Sequence, residues 1–214
     1  MRPYAFGVDI GGTAIKLGLF QTDGELLEKW SIPTRTEEEG KYVLPDVTAS
    51  IQAKLDERAI PWSEVEGVGM GVPGPVKEDG TVMRCINLGW GVFNIPERIR
   101  TLEPHIHRFR VTNDVNAATL GEQWRGAARG RKNVFMATLG TGIGGGLVIN
   151  EQIVNGVVGG AGEIGHFRVE RGETDVCKCG GHGCLEQYCS ATGLLRCARK
   201  ALAERPDTPH GPQN

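Results

Sequence analysis

Two stretches of this sequence, 128 residues apart, repeat one pattern. Tyr4–Ile10 reads as a strand, Gly11-Gly12-Thr13 as a turn, Ala14–Phe20 as a second strand, Asp23-Gly24 as a hairpin and Leu26–Ile32 as a third strand. Asn133–Leu139, Gly140-Thr141-Gly142, Ile143–Ile149, Asn150-Glu151 and Gln152–Asn155 read the same way. The shift lays Gly12-Thr13 on Gly140-Thr141, Ile15 on Ile143 and Gly18-Leu19 on Gly146-Leu147. A strand that reverses through glycine into a second strand builds a sheet, so an all-helical fold is excluded. Its repetition predicts two similar halves facing each other.

Between the repeats the pattern alternates helix and strand. Val43, Leu44, Val47, Ile51 and Leu55 follow helical spacing and predict a helix over 41–58. Val65–Val72 reads as a strand that ends in Pro73-Gly74-Pro75, and 76–96 as an irregular loop. Pro96–Leu102 reads as a short helix, Phe109–Thr112 as a strand and Val115–Ala128 as a helix. The class is therefore α/β, with one lobe over 1–128 and a second over 129–214. The second lobe has three strands, a cysteine-rich insertion and a helical segment from Cys184 to Glu204. One half takes about 130 residues, so two need about 260; the 214 present predict a second lobe cut short. Arg205–Pro212 reads as a linker.

Composition narrows the function. The formal charge of −2 gives no field that favours nucleic acid. No run of apolar residues reaches the eighteen or so that a membrane span needs. No export signal is visible, so a cytoplasmic location is expected. Glycine is 32 of 214, about twice the usual share of ~7%. The glycines crowd the two turns, where successive backbone N–H groups can face an anion. Around the first turn Asp9, Gly11, Gly12, Thr13 and Lys16 offer amides, a hydroxyl, a carboxylate for Mg²⁺ and an ammonium for a phosphate. Gly140, Thr141 and Gly142 offer the same backbone groups in the second. Neither turn is a Walker A loop, and neither sits between a strand and a helix as a dinucleotide fingerprint does.

Asn113-Asp114 ends a strand and opens a helix. Either residue can cap that helix. The alternative is a general base that accepts a proton from an attacking hydroxyl, which is most of what phosphoryl transfer asks of a side chain. Cys177, Cys179 and Cys184 bring three thiols into one glycine-rich loop. In a reducing compartment this points to metal or redox chemistry rather than to structural disulfides. Tetrahedral zinc wants a fourth ligand, and His182 and His166 are both candidates. Four protein ligands leave no open position, so such a zinc would be structural. Cys85, Cys189 and Cys197 are expected to be buried small side chains.

Six stretches carry a family resemblance: Asp9-Ile-Gly-Gly-Thr13, Gly71-Val-Pro-Gly-Pro75, Asn113-Asp114, Leu139-Gly-Thr-Gly-Ile-Gly144, Glu163-Ile-Gly-His166 and Cys177-x-Cys179-Gly-x-x-Gly-Cys184-Leu-Glu186. In that order they resemble the ROK family (repressor, open reading frame, kinase), and within it the bacterial glucokinase branch. The resemblance implies the actin-like, ribonuclease-H-like fold of two-lobed sugar kinases, with ATP and Mg²⁺. It implies Asp114 as the base at a hexose hydroxyl, with Asn113, Glu163, His166 and Glu186 on the other sugar hydroxyls. It makes His166 the fourth zinc ligand beside Cys177, Cys179 and Cys184, so that the zinc supports the sugar site. Gly12-Thr13 and Gly140-Thr141 would flank the ATP phosphates. Glucose is the expected sugar, with fructose, N-acetylglucosamine and N-acetylmannosamine open. A homodimer or tetramer is the implied assembly. The gap from His166 to Cys177 is one residue longer than is usual in the family, and the family's adenosine site and final helix have no counterpart in the sequence. A sugar-binding fragment without catalysis is therefore the second reading. A sugar-responsive repressor is the third; such repressors carry a DNA-binding domain ahead of the first glycine motif, which here begins at Asp9.

Overall fold

The computed structural model describes residues 2–204, so the linker read over Arg205–Pro212 lies outside the described residues. The chain opens with the antiparallel strands β1 (Tyr4–Ile10), β2 (Ala14–Gln21) and β3 (Leu26–Pro33). A single turn α1 (Glu37–Gly40) and a long helix α2 (Val43–Arg58) lead to β4 (Val65–Val72), which runs parallel to β1. The short strands β5 (Thr81–Val82) and β6 (Phe93–Asn94) follow, then α3 (Ile95–Leu102) and β7 (Phe109–Asn113), parallel to β4. The order across this sheet is β3-β2-β1-β4-β7.

Register explains the core. Phe6, Val8 and Ile10 lie opposite Leu19, Leu17 and Ile15, and Phe6 and Val8 also face Val68 and Met70. These side chains share one buried face, which α2 covers with Val43, Leu44, Val47, Ile51 and Leu55. The opposite face carries a row of glycines, Gly18, Gly7 and Gly69, across three adjacent strands. The Phe20 ring closes over Gly7 and Gly18. A cavity of ≈ 670 Å³ remains on this face, with Phe20, Leu26, Leu120 and Ile153 in its wall.

Helix α4 (Asp114–Arg125) leaves β7 and lies between this sheet and the second, β10-β9-β8. That sheet is formed by β8 (Val134–Leu139), β9 (Ile143–Ile149) and β10 (Gln152–Ile153), all antiparallel. Ala117 of α4 packs on Gly71 of β4, Val115 on Gly144 of β9 and Thr119 on Gly146. On the other side of β9, the Gly145 N–H donates to Gly162 O at 2.7 Å. Thus Gly144, Gly145 and Gly146 let a helix and a loop approach the strand closely, a use that glycine content alone does not distinguish from an anion loop.

Two local expectations are corrected. The segment 76–96 is not irregular: β5 pairs with β6, and Val82, Cys85, Leu88 and Trp90 enter the core. Two-residue strands are too short to leave a period in the sequence. The helical segment from Cys184 to Glu204 is two helices, α5 (Glu186–Cys189) and α6 (Ala191–Glu204). Ser190 separates them in extended conformation; its Oγ accepts from Gly193 N at 3.0 Å and donates to Glu186 O at 2.7 Å. That break leaves Cys189 exposed and Cys197 half-buried, whereas Cys85 is buried as expected.

Candidate active site

Asn113 and Asp114 divide the two roles that their position allows. The Asn113 Oδ1 caps α4, accepting from Val115 N at 2.9 Å and Asn116 N at 3.3 Å. Its amide donates to Gly74 O at 3.2 Å, which ties the Pro73-Gly74-Pro75 turn to the helix start. Asn113 alone takes the Asn116 N–H, while Asp114 Oδ1 shares that of Val115 at 2.9 Å. Burial pushes its carboxyl above the ordinary range; the Val115 N–H opposes this and the charge of Asp9 adds to it. Asp9 pairs in register with both Gly71 and Lys16, and its carboxylate lies 3.4 Å from the Lys16 ammonium. Both side chains are largely exposed.

A second carboxylate couples to Asp114. Glu163 is raised by burial and by the charges of Asp114 and Glu186, while His166 opposes the shift. The His166 Nε2 lies 3.7 Å from Glu163 Oε2. The remaining carboxylate, Glu186, reaches the second glycine turn and accepts from Ile143 N at 2.9 Å. Asp114 thus senses Asp9 on one side, and Glu163 senses Asp114, His166 and Glu186.

Each glycine turn is held from behind. Gly11 N donates to Ala14 O at 3.1 Å, and Gly140 N to Gly142 O at 3.0 Å, so these two amides serve the turns themselves. Thr34 holds the first turn: its Oγ1 donates to Gly11 O at 2.7 Å and its N–H to Thr13 O at 3.0 Å. Thr192 and Ala191 hold the second, through Thr141 O and Gly140 O at 2.9 Å each. Neither threonine is marked in the sequence, because each acts from an element remote in the chain.

The cysteine loop resolves the choice of histidine by geometry. One ligand atom each from His166, Cys177, Cys179 and Cys184 lies within 4.8 Å of the others. The Cys179 and Cys184 sulfurs are 3.6 Å apart. Zn–S bonds of about 2.3 Å in a tetrahedron place two sulfurs about 3.8 Å apart, so the cage fits that ion. His182 instead lies with Nδ1 3.1 Å from Thr174 O. Burial and the adjacent thiols push Cys184 up to about 12. Three thiols this close resist joint ionisation without a cation, which is a further reason that the donor set suits a metal.

The ROK family profile matches residues 5–209. The chain belongs to the ROK family. A glucokinase of Halalkalibacterium halodurans is 40% identical over 205 residues, which cover 94% of this ROK chain and 61% of that relative. A glucokinase of Streptomyces coelicolor is 35% identical, with the same two shares. The crystal structure of a ROK glucokinase from Streptomyces griseus, in complex with glucose and AMPPNP, superposes with a TM-score of 0.78 at 33% identity. It covers 95% of this chain and 62% of the other. The fold is therefore the actin-like α/β sugar kinase fold, and the ROK chain spans about three fifths of the length of these relatives. Among the described residues no helix is long and apolar enough to cross a membrane.

Proposed function

We propose that this ROK chain carries the sugar site and the phosphate turns of an ATP-dependent hexose kinase, with glucose as the preferred sugar. The observation that carries the reading is the half-buried Asp114 carboxylate at the start of α4, where Asn113 supplies the cap and Glu163, itself coupled to His166 and Glu186, senses its charge. A raised carboxyl is better matched to a hydroxyl proton than an ordinary one. In this reading Asp114 accepts the proton of the hexose 6-hydroxyl while that oxygen bonds to the γ-phosphorus. The bond from phosphorus to the bridging oxygen breaks, and ADP leaves with the electron pair.

Asn113, Glu163, His166 and Glu186 hold the other sugar hydroxyls and set the attacking oxygen against Asp114. Gly12, Thr13 and Lys16 receive the ATP phosphates from one lobe (1–128), and Thr141 and Gly142 from the other (129–214). Mg²⁺ held by Asp9 would neutralise phosphate charge. His166, Cys177, Cys179 and Cys184 would hold a structural zinc, which fixes the loop that carries His166 and leads into Glu186 at the start of α5.

The test measures ADP release across a panel of hexoses, for this chain and for one extended to the relatives' full length. Glucose should give the highest rate. Asp114→Asn should lower turnover by about 10²–10⁴-fold while calorimetry still detects glucose binding. Unchanged turnover in that variant defeats the base assignment. Glucose binding with no ADP from any sugar, in either chain, leaves a sugar-binding module and removes the kinase.

A further inference from the structure

The cysteine loop has a second anchor besides its ligands, in the turn 173–175. The Glu173 carboxylate, only 8% exposed, takes Arg196 Nη2 of α6 at 2.5 Å and Tyr188 Oη of α5 at 2.7 Å. The other arm of Arg196 reaches Asp175 at 2.5 Å, and its Nε donates to Gln187 O at 3.3 Å. Lys200, one turn on, adds a 2.7 Å contact to Asp175. Gln187 is bonded to the loop twice more: its amide donates to Asp175 O at 3.0 Å, and its Oε1 accepts from Cys184 N at 3.0 Å.

One guanidinium therefore ties three pieces together: the 173–175 turn, the backbone of α5 and its own helix α6. A planar fork suits this task, since it can serve two carboxylates and a carbonyl from fixed directions. The loop's own pairing is local: the isolated bridges Arg168–Cys184 and Val176–His182, with backbone bonds from Val169 and Glu170 to Gly183 and from Cys177 to Gly181. Cys184, Glu186 and Gln187 lie within four residues, so whatever fixes Gln187 also fixes a thiol and the carboxylate that meets the second glycine turn.

We infer that Arg196 and Glu173 are positioning residues, which lock the cysteine loop onto α5 and α6 and thereby aim Glu186 at the second glycine turn. The coupling to the loop stands on its own. Its extension to sugar binding rests on the proposed role of Glu186.

The test uses the zinc-loaded chain, with zinc release to an excess of a chromophoric chelator as the first readout. Arg196→Ala should release zinc about tenfold faster, as loss of an outer partner of a metal site does. Arg196→Lys and Glu173→Gln keep part of the network and should fall between, which preserves the test if Arg196→Ala does not fold. Arg199→Ala, on the exposed side of the same helix, should leave release unchanged. The second readout is the Ile143 amide proton resonance, which should move upfield in the Arg196 variants as its bond to Glu186 weakens, and stay in place in Arg199→Ala. The third is the glucose dissociation constant, expected to rise severalfold in the Arg196 variants. Wild-type zinc release in the Arg196 and Glu173 variants, or equal acceleration in Arg199→Ala, overturns the inference. If neither the unaltered chain nor one of the relatives' full length binds glucose, the kinase reading falls, and zinc release with the Ile143 resonance still decides the role of Arg196.

Discussion

Asp114 carries a charge that its surroundings resist, and this has a consequence for stability separate from any chemistry. Its carboxyl titrates higher in the folded chain than in the unfolded one, because folding removes it from water and sets it near Asp9. The protonated form is thus favoured by folding. That contribution is fully present below the ordinary Asp value of about 3.9 and is lost as pH rises through the raised value. Asp114→Asn should therefore be more stable than the parent chain at pH 7, and the two should converge below about pH 3. Urea midpoints measured across that range check the sign; a less stable variant at neutral pH means that the carboxylate is held by partners rather than strained. The dipeptide Asn113-Asp114 is legible as a cap or as a functional carboxylate. Which residue does which is not, since the choice depends on Asn113 also reaching Gly74, 39 positions away.

At the scale of elements, β9 tests what its glycines are for. A methyl group at Gly146 collides with Thr119, and one at Gly144 with Val115. Gly146→Ala and Gly144→Ala should each lower the unfolding free energy by about 1–3 kcal/mol, the cost of forcing atoms into a packed contact. Denaturant titration reads this directly, and values near zero would return these glycines to a role at the turn. The long strands are readable to within a residue because turn residues bound their apolar runs: β1, β4 and β9 begin and end where the residue pattern puts them. The failures share a physical cause. A glycine records a missing side chain and not the neighbour that needs the space. Likewise, the buried Val82, Leu88 and Trp90 belong to a hairpin whose pairing is long-range and too short to show a period. The Ser190 break lies in Ser190-Ala191-Thr192-Gly193, where a cap can be read only once a helix start is suspected.

For the whole molecule, the metal cage and the large core are on different sheets. The core cluster joins β1, β2, β4, α2 and α3, whereas the cage lies wholly in the loop after β10, which Gln187 and Arg196 tie to α5 and α6. Removing metal should therefore loosen the second part first. Hydrogen exchange after chelation should quicken about tenfold or more in β8, β9 and α6 while β1, β4 and α2 keep their protection. Uniform loss of protection would mean one cooperative unit. Between these parts lies α4, seated on Gly71 of one sheet and on Gly144 and Gly146 of the other, with Asn116 bonded across to Asn155 at 3.0 Å. Because α4 touches both sheets, a rotation of one against the other about its axis would carry Asp114, its first residue, through a shorter arc than groups on the outer strands.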